Sequence, residues 1–361
     1  MKSHKNILLD LERLRYKHSG IARVFSNLSE GLRLLKITEQ IAIYGPASIE
    51  HTGDFSHLKW TKFQKFNPFF SRSFDLIHVS HQLSSYFHYK PKNQKKIVTL
   101  HDLNFLHEDF GSGRMRRNIR RVQQNVQNAD VVVCISEFVK QDYLKNQHLF
   151  NVKKQQQIRV IYNGLQFPDG SKQYDLGKYN FLKNKRYYLN IGVLFPKKNQ
   201  LSLLKVLPLI EEDLVFIVSG SKKEYEKELL KFIIDHQLET RVHILRNISD
   251  DEKYALIQNC EAMLHPSLAE GFGIPPIEAM YFGRPVFMSQ LTSLPEIGGP
   301  HAFYFKMFDA EEMAGTIKNG MRAYRSDKNY EEKLRNWALQ FDYREMASNY
   351  LALYQEILKG T

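Results

Sequence analysis

The sequence predicts an α/β protein with two doubly wound parallel sheets, each in its own domain. Its 361 residues exceed one typical domain, and short apolar or β-branched runs alternate with longer helical patterns on both sides of residues 165–185. That stretch loses periodicity and gains Gly, Pro, Asp and Lys, as a linker does. We therefore expect two Rossmann-like domains facing each other across a cleft, residues 1–168 and 169–341.

The first domain is predicted from six strand-like runs. Helical spacing of apolar residues indicates helices at 21–35 and 137–147, the second after Ser136 as a candidate N-cap. The predicted strands are 5–11, 41–45, 74–79, 96–101, 129–136 and 158–164.

The second domain repeats the alternation. Its predicted strands are 187–192, 213–220, 241–247, 261–267 and 284–289. The predicted helices are 198–210, 223–238, one opening at Ser249 and a short one near 276–282. An amphipathic helix, 343–358, ends the series. Doubly wound sheets bind ligands at the carboxyl ends of their strands, so the site residues are sought there.

The composition excludes several classes of protein. With 43% hydrophobic and 25% charged residues the chain is neither disordered nor fibrous. Cys134 and Cys260 lie in apolar runs, which predicts buried, reduced thiols and no zinc site. The N-terminus lacks the apolar segment of a signal peptide, and no run reaches the roughly 18 apolar residues of a spanning helix. We expect a cytoplasmic protein, soluble or peripheral to a membrane.

The positive charge is one-sided. Residues 1–165 hold 26 Lys and Arg against 13 Asp and Glu, whereas the remainder holds 25 against 26. Such a half suits an anionic membrane surface, a phosphate-bearing substrate or nucleic acid. No nucleic-acid module accompanies it, so nucleic acid is not an expected partner. Five arginines on one predicted helix are candidates for lipid or phosphate contact, or form a solvated face: Arg114, Arg116, Arg117, Arg120 and Arg121.

The most informative stretch is HPSLAEGFGIPPIEAMYFGRPV, residues 265–286. A strand ends, a loop with Glu270 follows, and prolines suit the first turn of a helix. Free amides in such a loop bind hydroxyls or phosphate, and Glu278, predicted in the first helical turn, can join Glu270 in accepting hydrogen bonds from one elongated polyol ligand. An ordinary strand–loop–helix connection with acidic residues near the helix N-terminus explains the same pattern.

Two further loops have the character of phosphate sites. Gly20 opens a predicted helix after the first strand, where free N–H groups favour anions, although a turn glycine is the simpler interpretation. In IGVLFPKKN a strand ends at Gly192, and Lys197 and Lys198 are predicted at a helix start. Lysine is unfavourable there, so either a phosphate partner or plain solvation accounts for it.

His101 follows a predicted strand of the first sheet and can donate to a sugar hydroxyl or carbonyl. A histidine at a strand end is more often structural. Two weaker metal hypotheses attach to this half, with no spacing that fixes a geometry. The first uses His101, Asp102, His107 and Asp109, and the second uses His78, His81 and His88.

Taken together, these stretches resemble the retaining, nucleotide-sugar-dependent glycosyltransferases of family 4, also called group 1, which have the GT-B fold. The resemblance runs nearly end to end, and EGFGIPPIE matches the family's E-x7-E element. The other matching stretches are SGIAR, KIVTLHDLNFL, ADVVVCISEFVKQDYL, IRVIYNG, IGVLFPKKN and FGRPVFMSQLTSLPEIGGPHAFYF.

The resemblance implies a role for each matching position. Glu270 would contact the donor sugar, helped by the backbone of Gly271, Phe272 and Gly273, and Glu278 would bind the ribose. Lys198 and Gly20 would hold the diphosphate, with Gly192 and Lys197 in the same phosphate loop. His101 would lie beside the transferred sugar, and base selection would involve the backbone near Asn247. The C-terminal helix, about 342–361, would cross back to the first domain.

The resemblance also implies an expected reaction. A sugar would pass with retention from a nucleotide-diphosphate donor, GDP-mannose as a first guess, to a glycan or lipid-linked acceptor in envelope polysaccharide or lipopolysaccharide synthesis at the inner membrane face. Neither a metal nor another cofactor is expected. Val193 departs from the family, because many members carry arginine there. The alternatives are a GT-B sugar-nucleotide epimerase, a phosphorylase, and a non-enzymatic basic polyanion-binding protein.

Overall fold

The computed structural model describes residues 6–16, 19–35, 37, 40–49, 55–67, 69–107, 112–153 and 155–359. Its strands are β1 Asn6–Asp10, β2 Gln40–Gly45, β3 Ser56–Lys59, β4 Leu76–Val79, β5 Lys95–Leu100, β6 Val131–Cys134, β7 Gln157–Val160, β8 Tyr187–Leu194, β9 Asp213–Ser221, β10 Val242–Arg246, β11 Ala262–His265, β12 Val286–Ser289 and β13 Phe303–Phe305. Its α-helices are α1 Gly20–Leu34, α2 Ser112–Val126, α3 Glu137–Asn146, α4 Gln200–Val206, α5 Lys223–Asp235, α6 Asp250–Asn259, α7 Ile274–Tyr281, α8 Leu294–Gly298, α9 Ala310–Ser326, α10 Tyr330–Leu339 and α11 Tyr343–Lys359.

The chain divides into two compact units. Unit 1 comprises 1–166 and 341–361, and unit 2 comprises 167–340. These boundaries lie within two residues of the expected ones. Unit 1 holds 28 Lys and Arg against 16 Asp and Glu, a net charge of +12, and unit 2 holds 23 of each. The whole excess of positive charge therefore belongs to unit 1.

Unit 1 is built on a seven-stranded sheet in the order β3-β2-β1-β4-β5-β6-β7, with every neighbouring pair parallel. Its central strands are buried along their length, as in Val131–Cys134, because helices cover both faces of such a sheet and select β-branched residues. Helix α1 begins where the Ser19 hydroxyl accepts from Ala22 N at 3.1 Å. The order reverses between β1 and β4, which defines the switch point of this sheet.

Helix α11 belongs to unit 1, as expected of the C-terminal helix. It packs on α1 at Gly31, where a Cβ atom would come within 2.6 Å of the Ala347 Cβ, so a glycine is required for this close approach. The Tyr354 hydroxyl, in addition, is 2.6 Å from His78 Nδ1 on β4, and both side chains are buried. The last helix thus completes the core of the first sheet.

Unit 2 is built on a six-stranded parallel sheet in the order β10-β9-β8-β11-β12-β13. The strand order reverses between β8 and β11. Residues 165–185 were predicted to be a linker, but residues 167–185 belong to unit 2: the Tyr174 ring meets those of Tyr254 and Phe282 edge to face, and Leu176 and Leu182 are buried. Lost periodicity predicted an unpacked linker, whereas Tyr174 packs against Tyr254 of α6 and Phe282 at the end of α7.

The two sheets confirm the predicted fold class of two parallel Rossmann-like domains. Strands β3 and β13 were not predicted, and neither were helices α8, α9 and α10. Cys134 and Cys260 are buried free thiols, as expected. Among the helices of the described ranges, none is long and apolar enough to cross a membrane.

Candidate active site

The candidate site of unit 2 lies where β8 and β11 end side by side. Strand β8 leads into a 3-10 turn, Pro196–Lys198, and β11 leads into the loop 266–273 before α7. The Leu268 N–H donates to the Lys197 carbonyl at 2.7 Å, which joins the two loops. Loops at the carboxyl ends of the strands flanking a switch point form the ligand site of doubly wound sheets.

The loop 266–273 is held from below by the segment that follows β12. The Ser293 hydroxyl lies 3.1 Å from the Glu270 carbonyl and 3.0 Å from the Phe272 carbonyl, and Glu270 N–H donates to Thr292 Oγ1 at 3.1 Å. Gly273 has φ +116°, and α7 starts directly after it with Pro275 in its first turn, as predicted. The backbone around Glu270 is therefore fixed before any ligand binds.

The Glu270 carboxylate is shared between two groups from different elements. One oxygen forms an ion pair with the Lys198 ammonium and also lies 2.9 Å from His265 Nε2. Burial alone would raise the pKa of Glu270, but the charge of Lys198 and the hydrogen bond from His265 outweigh burial and hold this pKa well below its usual range. Glu270 is thus an ionised hydrogen-bond acceptor at the carboxyl ends of β8 and β11.

His265 is a site residue that the sequence analysis did not single out. It is buried as the last residue of β11, and its Nδ1 has no hydrogen-bond partner among the described residues. The Ser267 hydroxyl lies 3.3 Å from its Nε2. The sequence signal that could have indicated this role is its position at the end of a predicted strand, just before the loop that carries Glu270. Its Nε2–H orients the Glu270 carboxylate.

Glu278 is placed differently from the prediction. It is the fifth residue of α7, not in the first turn, because the helix begins at Ile274. Its buried carboxylate accepts a hydrogen bond from Lys253 Nζ of α6 at 2.8 Å, and Lys253 also lies 3.1 Å from Asp250. The Lys253 ammonium thus supplies a cationic hydrogen-bond donor to a carboxylate inside unit 2. Nothing local in the sequence indicates this partner.

The lysines of the phosphate loop precede the helix instead of starting it. Lys197 and Lys198 lie in the 3-10 turn, and Asn199, with φ +55°, separates this turn from α4. The expected conflict between lysine and the positive end of α4 is therefore reduced. Val193 is partly exposed, and an added Cβ at Gly192 would meet no atom within 4 Å. The turn and the end of β8 thus present a lysine-lined backbone with open space beside it.

The other predicted residues of unit 2 fall in two groups. Gly271 and Gly273 lie on the loop with Glu270, and Phe272 buries its ring while its carbonyl accepts from Ser293. Asn247 follows the edge strand β10 with φ +54° and is exposed. Asn247 follows β10 and Glu270 follows β11, and two strands, β9 and β8, separate these in the sheet. Its role in base selection stays a prediction.

His101 of unit 1 directly follows β5 and is buried. Its Nε2–H donates to the Ser80 carbonyl at 2.8 Å, and its ring stacks on His81 with centroids 5.3 Å apart. Burial lowers the pKa of His101 to about 4, against the opposing hydrogen bond to Ser80. The ring is therefore neutral, with Nδ1 left as an acceptor, so it would accept from a sugar hydroxyl instead of donating to one.

Two more residues of unit 1, Asp10 and Gly20, lie at the end of β1 and at the start of α1. Gly20 is exposed and is the first residue of α1, one position earlier than predicted for that helix. Asp10, at the end of β1, accepts from Ser80 N–H at 3.2 Å and from the Ser80 hydroxyl at 3.1 Å. Since His101 donates to the Ser80 carbonyl, Asp10 and His101 fix the same residue at the switch point of the first sheet.

Neither metal hypothesis finds a metal-binding cluster. Within the described ranges, no three His, Cys, Asp or Glu side chains are grouped so as to hold a metal ion. Asp109, which one hypothesis needs, lies outside the described residues. His107 pairs with Asp142 at 3.0 Å, and His88 Nε2 lies 2.9 Å from the Ser84 carbonyl. These histidines have structural partners in unit 1.

The arginines predicted on one helix do lie on α2, and all five are exposed. Lipid or phosphate contact by this helix is therefore sterically open, and it stays a prediction.

Two sequence families match the chain, one for each unit. "Glycosyltransferase Family 4" matches residues 19–166, and "Glycosyl transferases group 1" matches residues 171–337. The O-antigen chain mannosyltransferase RfbU of Salmonella typhimurium is 25% identical over 278 residues, 73% of this chain and 71% of that protein. O-antigen chain mannosyltransferase B of Escherichia coli is 23% identical over 348 residues, 88% and 90% of the two chains.

Solved structures share the fold at low sequence identity. Sucrose-phosphate synthase from Thermosynechococcus elongatus superposes with a TM-score of 0.75 at 18% identity, covering 99% of this chain and 100% of that one. Anabaena Alr3699/HepE in complex with UDP and glucose gives a TM-score of 0.76 at 18% identity, covering 98% and 100%. The GT-B class expected from the resemblance is confirmed, and the expected enzyme class, a glycosyltransferase of the hexosyltransferase type, is confirmed with it. The chain belongs to the group 1 glycosyltransferases of family 4.

Proposed function

We propose that this enzyme transfers a hexose with retention from a nucleotide-diphosphate donor to a hydroxyl of a glycan or lipid-linked acceptor in envelope polysaccharide synthesis. One observation carries the proposal: an ionised Glu270, held between Lys198 and His265, lies on a loop fixed at the switch point of the second sheet. A carboxylate and a lysine placed together there suit a ligand that carries both hydroxyls and a diphosphate.

Unit 2 is proposed to bind the donor. Glu270 would accept hydrogen bonds from the sugar hydroxyls, and the backbone of Gly271–Gly273 would line the same edge. Glu278, whose carboxylate accepts a hydrogen bond from Lys253, would accept from the two ribose hydroxyls. The diphosphate would bind at Gly192 and the 3-10 turn, where its charge competes with Glu270 for the Lys198 ammonium.

Unit 1 is proposed to receive the acceptor. Gly20 would offer its free N–H at the start of α1 to the diphosphate, and the neutral His101 would accept a hydrogen bond from the transferred sugar. The net charge of +12 in unit 1 suits an acceptor anchored in an anionic membrane, so we place the enzyme in the cytoplasm, peripheral to the inner face of the membrane.

The proposed chemistry is a front-face displacement. The bond from the acceptor oxygen to the anomeric carbon forms on the face from which the diphosphate oxygen departs, and that oxygen takes the acceptor's proton. Lys198, with Lys197, would offset the charge of the leaving diphosphate, which is an electrostatic form of catalysis that requires neither a metal nor another cofactor. The lysines then supply what Val193, in place of the usual arginine, does not.

GDP-mannose is the proposed donor, because two of the relatives are named mannosyltransferases. UDP-glucose is the alternative to test, since a protein of the same fold was solved with UDP and glucose. A thermal-shift panel of GDP-, UDP-, ADP- and dTDP-sugars in EDTA should give stabilisation with one nucleotide class, by about 2.7 kcal/mol at 100 times the dissociation constant.

Turnover then decides the reaction class. Release of the nucleoside diphosphate that requires a glycan acceptor, with an α product from an α donor by NMR, supports retaining transfer. Conversion of the donor sugar without an acceptor would instead indicate an epimerase, and dependence on free phosphate a phosphorylase. For Glu270→Gln, the matched control is Glu296→Gln on α8, because Glu296 is an acidic residue of unit 2 outside the loop 266–273.

A further inference from the structure

A short surface segment of unit 1 exposes phenylalanines and lysines side by side. We define the lysine–phenylalanine segment as residues 59–67 and 69, which start at the last residue of the edge strand β3. Phe63 is 68% exposed, Phe66 73% and Phe69 53%. Single exposed apolar residues need no explanation, but three phenylalanines at a spacing of three residues form a patch.

The helical backbone places the phenylalanine and lysine side chains on separate edges of the helix. Lys62–Phe66 is a 3-10 helix, in which residues three apart eclipse each other. Phe63 therefore stands over Phe66 on one edge, and Lys62 stands over Lys65 on the next. Each lysine ammonium lies near the adjacent ring, at 5.3 Å from the Phe63 centroid and 4.8 Å from that of Phe66. The segment thus presents an apolar edge and a cationic edge to the same side.

The third edge of this helix anchors it. Gln64 Oε1 accepts from the buried Tyr44 hydroxyl on β2 at 2.9 Å and from Thr61 N–H at 2.6 Å, and its Nε2 donates to the Lys59 carbonyl at 3.3 Å. These bonds tie the segment to the sheet. Phe63 and Phe66 are therefore held outward by a fixed scaffold.

The segment lies in a basic stretch of the sequence. Residues 55–101 contain eight Lys and Arg against one acidic residue, Asp75; of the eight, Lys96 is buried and Lys90 pairs with Asp130. The patch also extends through Tyr89, whose ring meets that of Phe69 edge on at a centroid distance of 5.2 Å. The chemistry complementary to exposed aromatic rings set among lysines is an anionic lipid surface, where rings enter the headgroup region and lysines meet phosphates.

We propose that the lysine–phenylalanine segment is the docking element for an anionic bilayer, with Phe63 and Phe66 inserted and Lys62 and Lys65 on the phosphates. This proposal deepens the proposed function, since it rests on an acceptor at the membrane and names the surface that reaches it. It differs from the expectation for α2, which places the contact on the five arginines of that helix.

The test is co-sedimentation with vesicles of phosphatidylcholine alone and of phosphatidylcholine with 30% phosphatidylglycerol. Wild type should bind the anionic vesicles and lose binding in high salt. Phe63→Ser/Phe66→Ser should weaken the partition constant about a hundredfold, roughly tenfold for each ring removed. Lys62→Gln/Lys65→Gln should weaken it about 25-fold, roughly fivefold for each lysine.

The matched control is Leu230→Ser/Ile234→Ser on α5 of unit 2, where two apolar residues are 42% and 62% exposed. This pair should bind as wild type does. Unchanged binding by the phenylalanine variant, or loss confined to Arg116→Gln/Arg117→Gln on α2, would overturn the proposal. So would salt-dependent binding of a single-stranded oligonucleotide, lost in the phenylalanine variant, without vesicle binding.

Stabilisation by GDP-mannose in a thermal shift separates this proposal from the proposed function. The phenylalanine variant should keep the melting temperature and the donor-induced shift of wild type, because both rings are exposed and outside the donor site. A wild type that binds anionic vesicles but no nucleotide sugar would contradict the proposed donor while the docking element stands. Normal donor binding with no vesicle binding would contradict the docking element and the placement at the membrane, while the proposed donor and transfer stand.

Discussion

Lys253 of α6 donates a hydrogen bond to Glu278 of α7 over 2.8 Å, with both side chains buried. A buried carboxylate is costly unless a cation or hydrogen-bond donors offset its charge. The Lys253 ammonium is such a partner for Glu278. If Glu278 accepts from ribose hydroxyls as proposed, Lys253 is a positioning residue that acts through Glu278.

Replacing Lys253 by methionine should weaken donor binding and lower stability, because the buried Glu278 carboxylate loses its ammonium. Breaking a buried pair from one side costs about 3–5 kcal/mol of unfolding free energy. Lys253→Met/Glu278→Gln should regain much of that stability, since no buried charge is left, but should not regain donor affinity. Denaturant melts and the KM for the donor measure the two effects. A double variant with wild-type KM would contradict the role of the pair.

Lys198→Met should lower kcat by about 10²–10³, the usual range when one preorganised group that stabilises transition-state charge is removed. The diphosphate then leaves without the ammonium that offsets its charge. Glu270→Gln should lower kcat/KM as well, because an amide accepts fewer hydrogen bonds from sugar hydroxyls. The control is Lys205→Met, an exposed lysine of α4. Equal losses in Lys198→Met and Lys205→Met would contradict a local role.

Local patterns predicted the central strands, because runs such as Val131–Cys134 carry their own β-branched and apolar signal. Strand β3, with the sequence SHLK, has no such signal and forms only as an edge beside β2. The ion pairs of the candidate site could not be predicted from local sequence patterns. Lys198 and Glu270 are 72 positions apart, and Lys253 and Glu278 are 25 apart. Their contacts depend on how β8 lies beside β11 and how α6 packs on α7.

The free energy of unfolding should depend on pH in a way that reflects the buried, neutral state of His101. Its pKa is lowered to about 4, so between pH 4 and 6.5 the unfolded chain binds more protons than the folded one, and stability falls as pH drops through this window. His101→Gln keeps a donor for the Ser80 carbonyl and removes the titration. Wild type should lose up to about 1.4 kcal/mol per pH unit more than this variant.

Comparing the two proteins isolates His101. Asp10, whose pKa burial raises to about 7, titrates in the opposite sense in both of them and cancels in the difference. Chemical denaturation at several pH values supplies the data. Parallel pH profiles would mean that His101 titrates near its ordinary pKa in the folded state.

The two glycines that flank the proposed donor site should respond differently to replacement by alanine. At Gly273, φ is +116° and a Cβ would come within 2.8 Å of Leu294 Cδ2, so Gly273→Ala should cost about 1–3 kcal/mol of stability and displace the Glu270 loop. At Gly192 an added Cβ meets no atom within 4 Å, so Gly192→Ala should melt as wild type does. Its methyl group would still occupy the open space beside the phosphate loop, and the KM for the donor should rise. Melting curves and donor kinetics on both variants test this separation, since a Gly192→Ala enzyme with normal KM would place the diphosphate elsewhere.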